Sequence, residues 1–261
     1  MRHGRSFVVV ASAALALLVA GPLPAGQGPI WSVGGVDSSK LPMTFGISVD
    51  VYGQTQDYDL DRLSFSLPGL AVDPSQIAID NSIGEANVKL DAWLLPFLNL
   101  FGIVGSVEGK TDVDFSHLQL PVPVGRLRIN YDGVVYGVGL TLAGGGERWF
   151  ASLTGLQTES NLSGDFDSDV STLVVMPRVG LHDERGSFWI GAMYQKNEEK
   201  HKGTITIAPF GRVGFDVTLA DKTAVNFLIG AETALTEHWR LEVEGGIAGR
   251  RSAEVGLSYR F

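Results

Sequence analysis

From about residue 40 to its end, the chain alternates apolar and polar side chains in ten separate segments. Successive side chains leave a pleated backbone on opposite sides, so a period of two marks a strand whose two faces meet different surroundings. The segments are residues 43–55, 83–94, 98–110, 132–144, 148–160, 170–182, 187–197, 223–235, 238–248 and 252–261. The last is the clearest: Ala253, Val255, Leu257, Tyr259 and Phe261 share one face, and Glu254, Gly256, Ser258 and Arg260 the other. The segment before it sets Trp239, Leu241, Val243 and Ile247 against Arg240, Glu242, Glu244 and Gly246. Segment 170–182 is weaker, because Pro177 interrupts it and Val174 and Met176 fall on its polar face. Segment 148–160 is ambiguous.

Three architectures share this pattern: a β-sandwich, a soluble calyx barrel, and a membrane barrel with its apolar face outward. Three observations separate them. The polar face combines glycines (Gly46, Gly102, Gly137, Gly139, Gly180, Gly230) with charges of both signs. Those charges are Asp50, Lys89, Asp91, Glu108, Arg178, Glu232, Arg240, Glu242, Glu244, Glu254 and Arg260, and they suit a narrow lumen of paired acids and bases. A soluble calyx would turn them outward and fill its interior with bulky apolar groups.

The connections also alternate in length. Short links (LPFLN, GGGER, HDERGS, LTEHW) alternate with long ones, as in a membrane barrel with short periplasmic turns. The link at Gly249–Arg251 is the exception, being short on the long-loop side. Finally, Trp93, Trp149, Trp189 and Trp239 lie near the short links, with Tyr259 and Phe261 at the same level, where an interfacial aromatic girdle would sit. Parity puts Trp149 and Trp239 on the apolar face but Trp93 and Trp189 on the polar one, where they would instead plug the lumen floor.

The N-terminus reads as an address. Arg2, His3 and Arg5 precede an apolar run over residues 7–20, and small residues and prolines follow, with a cut after Ala25. That order is a secretory signal peptide; the alternative is a short anchor, but the run falls short of the ~20 residues a spanning helix needs. The expected layout is a signal peptide over 1–25, a periplasmic segment over 26–40 and a barrel over 41–261. The apolar stretch 93–105 is broken by Pro96 and Asn99 and reads as two strands and a turn. With the signal peptide removed, the net charge is −11, which argues against a nucleic-acid partner, and the chain has no cysteine for a disulfide or thiolate metal site.

The closing VGLSYRF, with Tyr259 and terminal Phe261, resembles the C-terminal signal of Gram-negative outer-membrane β-barrels. The overall pattern is similar to small barrels of the OmpA and OmpW type. The resemblance implies an all-β fold: a transmembrane, antiparallel, up-and-down barrel. Ten strands are expected, with eight or twelve as alternatives. It further implies outer-membrane lipid and lipopolysaccharide as surroundings, and recognition of Phe261 by the barrel-assembly machinery. It brings no catalytic residue and no cofactor.

Function is less legible. Three long loops carry apolar, proline-bearing tips, LPGLAV (67–72), LPVPVG (120–125) and IAPFGR (207–212), which read as hairpins continuing above the bilayer. They would cap the barrel or offer a surface for adhesion. Asp57, Asp59 and Asp61, and again Asp165, Asp167 and Asp169, alternate along their segments as weak metal candidates. Spacing of about 7 Å along one strand face is wide for a single ion, and divalent bridging to lipopolysaccharide phosphates suits them better. For a hydrolase the material is thin. Ser116 and His117 point oppositely if extended, His201 lies in a charged run, and His182 and His238 fall at turns. The expectation is a non-enzymatic barrel, a narrow passive channel or structural surface protein. The alternatives are a surface-binding protein or an outer-membrane hydrolase.

Overall fold

The computed structural model describes residues 28–31, 41–65, 77–114, 126–164, 168–207, 211–221 and 223–261. Eleven strands follow one another: β1 (Phe45–Phe65), β2 (Ala78–Leu95), β3 (Leu98–Asp114), β4 (Arg126–Gly145), β5 (Trp149–Gly164), β6 (Ser168–His182), β7 (Gly186–Ile207), β8 (Gly211–Asp221), β9 (Val225–Ala234), β10 (Trp239–Ala248) and β11 (Arg250–Arg260). Ten of them close a continuous antiparallel ring, in which β1 pairs with both β2 and β11, and β7 with both β6 and β9. The N-terminal stretch read as a signal peptide lies outside the described residues, as do loop residues 67–72, 120–125 and 208–210.

The eleventh strand accounts for the short link at the wrong end. β1 pairs with β11 from Gly46 to Gln56, then changes partner and pairs with β8 from Tyr58 to Phe65. β7 likewise leaves β9 after Tyr194 and takes β8 from His201 to Ile207. β9, β10 and β11 therefore stop early, and β8 closes the ring above them. The wall has ten strands below and the eight strands β1–β8 above. The β10–β11 turn is tight enough to hold Ala248 at φ 111°, a region that costs an L side chain energy.

The short turns are built from local hydrogen bonds. Asp183 Oδ1 accepts from the amides of Arg185 (2.8 Å) and Gly186 (3.0 Å), which holds its carboxyl below the usual carboxylate range. Thr236 Oγ1 does the same for His238 and Trp239, at 3.3 and 3.0 Å. The ring closes at Phe45 and Phe261, which exchange both backbone hydrogen bonds at 3.0 Å and stack their rings.

The wall is apolar outside. On β4, Val134, Tyr136, Val138, Leu140 and Leu142 all face out and are exposed, Val138 by 70%. Above them come Asp132, Asn130 and Arg128. Eight residue steps on a strand tilted by ~40° give a band about 20 Å tall, close to the ~25 Å hydrocarbon face of a membrane barrel. Val51, Phe188, Ile229, Val243 and Val255 continue it around the ring, each about half exposed. Such a belt in water would drive association; in hydrocarbon it is the required surface, and the closed ladder pairs the spanning backbone from strand to strand around the ring, with an interruption at Met176 and Pro177 on β6. The chain is a transmembrane β-barrel.

Candidate functional site: the lumen

Side chains from alternate positions fill the interior in successive levels. Along the hydrogen-bond registers of β2, β1, β11 and β10, a bottom row of Asp91, Gly46 and Arg260 is followed upward by Lys89, Ser48, Ser258 and Arg240, then by Asn87, Asp50, Gly256 and Glu242, then by Glu85, Tyr52, Glu254 and Glu244. The floor is thus a patch of charge. Arg260 Nη2 donates to Asp91 Oδ2 at 3.0 Å, and Asn99 donates to the same oxygen at 2.7 Å. Arg240 donates to Glu232 at 2.7 Å, and Lys89 sits 3.9 Å from Asp50. Glu244, only 4% exposed, accepts from Arg178 Nη2 (2.8 Å) and Trp189 Nε1 (2.6 Å). Arg178 Nε also lies 2.8 Å from Glu244 Oε2, at ion-pair distance though off the hydrogen-bonding direction.

Aromatic rings thicken the floor at Phe101, Phe150 and Trp189 and narrow the upper lumen at Tyr131, and each lies across a glycine. Phe101 faces Gly139, Tyr131 faces Gly109, Phe150 faces Gly180 and Trp189 faces Gly230, each pair in register on neighbouring strands. A methyl group at any of these glycines would fall within 2.2–2.7 Å of the ring opposite. The lumen glycines are the space the rings occupy.

Above the floor an apolar patch enters the otherwise polar lining. Val174, Met193 and Leu228 form a buried cluster, with Leu156 and Met176 against it. The two apolar residues on the polar face of segment 170–182 thus belong to this patch. Higher still are Tyr58, Ile79, Ile83, Val113 and Ile129. Together these levels bound a cavity of about 530 Å³.

The sequence-predicted residues fall as follows. Asp50, Lys89, Asp91, Arg178, Glu232 and Glu242 line the cavity, as do Glu254 and Arg260; Arg240 and Glu244 pair with lining residues. Glu108 does not belong to the lumen: it is exposed on the outer face, and Val107 faces in. Gly102 likewise faces out. Trp149 is 53% exposed and Trp239 packs on Tyr259, which stacks on Phe261, so these four lie together at the short-turn end of the barrel. Trp93 and Trp189 are not interface residues. Both point inward, Trp189 only 4% exposed, because their parity is that of the lumen face. The lining residues Tyr52 and Asn87 lie on the polar faces that the alternation of segments 43–55 and 83–94 predicts, whereas Asn81 and Glu85 had no place in the sequence reading; the same inward parity, extended to residue 81, is the signal that carries them.

Among the candidate metal ligands, Asp57 faces outward above the apolar band. The side chains of Asp59 and Asp61 lie outside the described residues, as do Asp165 and Asp167, and Asp169 accepts from Asn161 at 2.9 Å. Among the described residues no three potential ligands come together. Asp57 instead pairs across the ladder with Asp80, and Asp80 with Asp112. Partial burial, a hydrogen bond with Asp57 and the charges of Asp57 and Asp112 hold the Asp80 carboxyl above its usual range, while the Arg128 hydrogen bond holds Asp112 below its own. A raised carboxylate favours folding while protonated and loses that advantage as pH rises through its folded value. Asp80→Asn should therefore stabilise the barrel by about 0.5 kcal/mol near pH 7, and by nothing near about pH 3, in urea unfolding in detergent micelles. Equal effects at both pH values would refute the like-charge account.

The described histidines hold backbone oxygens: His182 Nε2 lies 3.1 Å from the Gly146 carbonyl and His238 Nδ1 2.7 Å from that of Arg260. His117 and the side chain of His201 are outside the described residues.

No protein-family model matches the chain, and no curated protein sequence matches it. Among solved structures it is similar to the transport unit of the autotransporter AIDA-I from Escherichia coli, with 12% identity, 98% of each chain covered and a TM-score of 0.44. It is also similar to the translocator domain of the autotransporter NalP from Neisseria meningitidis, at 11% identity over 84% of this chain and 89% of that one, TM-score 0.43. A third is the outer membrane protease OmpT from Escherichia coli, at 10% identity over 84% of this chain and 97% of that one, TM-score 0.40. Similarity at this level is to a barrel wall and carries nothing about activity.

Proposed function

We propose that the chain is a non-enzymatic barrel of the Gram-negative outer membrane. In this reading it is exported through its signal peptide, admits small solutes from the cell surface, and passes at most a thin path of water and ions. One observation carries it: the cavity runs from the apolar patch down to a floor crossed by the Arg178–Glu244, Arg260–Asp91 and Arg240–Glu232 pairs. Barrels of this strand number enclose space enough for side chains or one small ligand, not a wide pore. The histidines engaged by backbone carbonyls support the non-enzymatic half of the reading. The Asp57–Asp80–Asp112 row with Arg126 and Arg128, immediately above the apolar band, suits contact with lipopolysaccharide headgroups directly and through divalent cations. The Phe45–Phe261 seam gives Phe261 a structural reason to be read by the assembly machinery as the last strand docks.

Planar-bilayer recording of the purified protein tests the reading. Wild type should give small, infrequent current steps, and the double variant R178A/E244A, which removes one floor pair entirely, should enlarge them several-fold. Large porin-like steps in wild type, or no change in the variant, would overturn the closed-floor reading. Fractionation of cells with heat-modifiable gel migration tests the location.

A further inference from the structure

The charges facing the cavity do not balance. Asp91, Asp50, Glu232 and Glu244 each have a cation within pairing distance. Among the described residues Glu85, Glu242 and Glu254 have none: Glu85 accepts a 3.3 Å hydrogen bond from Asn87, and the other two form no ion pair there. The registers make the imbalance worse. Glu254 stands directly across from Glu244, and Glu242 directly across from Glu232, where like charges repel. Tyr52 lies between Glu85 and Glu254 in the same row, offering a ring face between two carboxylates. Independently of these acids, two buried amide oxygens on lining residues, Asn81 Oδ1 (residue 6% exposed) and Asn87 Oδ1 (9%), accept no hydrogen bond from any described group. Two lining donors are also without a hydrogen bond among the described residues, Trp93 Nε1 and Arg178 Nε, but the latter lies 2.8 Å from Glu244, so the surplus on the lining is of acceptors, and an apolar patch adjoins it.

We infer that the lumen binds a protonated primary amine carrying an apolar body, its ammonium against Glu242, Glu254 and Glu85 and its body against the Val174–Met193–Leu228 patch. Three N–H donors and one positive charge meet what the floor lacks, and a ring face beside the carboxylates adds a cation–π contact. An anion would meet uncompensated carboxylates, and a neutral alcohol would leave the charge excess in place. The volume suits a ligand of ordinary drug size or smaller. This inference rests on the reading of the lumen as a cup that solutes can enter.

The test uses the full mature chain in detergent micelles, titrated calorimetrically against protein-free micelles with 4-phenylbutylammonium, 4-phenylbutanol and 4-phenylbutyrate. The ammonium should bind at least tenfold tighter than the alcohol, with no binding of the carboxylate. The variant E242Q/E254Q relieves two like-charge contacts and should fold at least as well, while its ammonium preference falls to within about twofold of the alcohol. Binding of the carboxylate as tightly as the ammonium, an unchanged preference in the variant, or no binding of any probe would overturn the assignment. Because the chain has no native cysteine, Ile79→Cys reports access separately, through labelling by a water-soluble maleimide. A labelled cup without ammonium binding sinks the amine assignment alone; an unlabelled one sinks the cup.

Discussion

Arg178→Ala should destabilise the barrel by about 4 kcal/mol and Glu244→Ala by about 3, in guanidinium unfolding followed by tryptophan fluorescence in micelles. Either substitution leaves a buried ion without its partner, a loss of roughly 3–5 kcal/mol. The order follows from the rest of the floor. Removing Glu244 also removes its repulsion with Glu254 across the ladder, worth about 0.2–1 kcal/mol, whereas removing Arg178 takes a cation from a patch already short of them. Glu244→Gln keeps an acceptor for Trp189 Nε1 and should cost less than Glu244→Ala. In R178A/E244A no ion is orphaned, so the double variant should be less destabilised than R178A alone. Glu244→Ala within 1 kcal/mol of wild type, or an additive double variant, would show that this pair is solvated and does not hold the floor.

That floor was partly legible in the alternation alone. A strand with hydrocarbon on one side and a polar lumen on the other writes its two faces plainly. β1 runs on to Phe65, well past the expected end at 55, but β9, β10 and β11 could be read to within a few residues. β3 could not. Leu98, Leu100 and Val104 face lipid while Phe101, Ile103 and Val107 face in, so both faces are apolar and parity is lost; Glu108 and Gly102 were misplaced for that reason. Above the membrane β8 keeps the alternation, Val213, Phe215, Val217 and Leu219 against Arg212, Gly214, Asp216 and Thr218, and reads as an arm of the third hairpin; that it pairs with the upper part of β1 depends on a partner the alternation does not name. Trp93 and Trp189 mislead in another way. Their nearness to turns suggests an interface, but which side they take is fixed by parity, and whether a ring fits there is fixed by the residue across the ladder. The surplus of carboxylates in the cavity depends on pairings between strands, which a single chain of letters does not contain.

Gly230→Val should cost about 3 kcal/mol, although valine favours strands over glycine by up to ~1 kcal/mol. The reason is one side chain. Trp189 on β7 reaches over Gly230 on β9 to donate to Glu244 on β10, so the indole crosses a whole strand. A Cβ at Gly230 would meet its ring atoms at 2.4–2.6 Å. Moving the ring costs about 1–3 kcal/mol of overpacking, and parting it from Glu244 leaves buried polar atoms unpaired at about 1–3 kcal/mol more. Steric loss therefore exceeds strand propensity. With the ring removed, the sign should reverse: in a Trp189→Ala background, Gly230→Val should be neutral or stabilising, a coupling of at least about 2 kcal/mol. Gly155 supplies the internal control. It lies in the outward-facing register of β5, with nothing within 4 Å of the site its Cβ would take. Gly155→Val should stabilise the barrel, and the contrast between two identical substitutions, measured by the same unfolding curve, isolates the ring. Equal destabilisation at both positions would mean that backbone geometry, not the indole, demands glycine at residue 230.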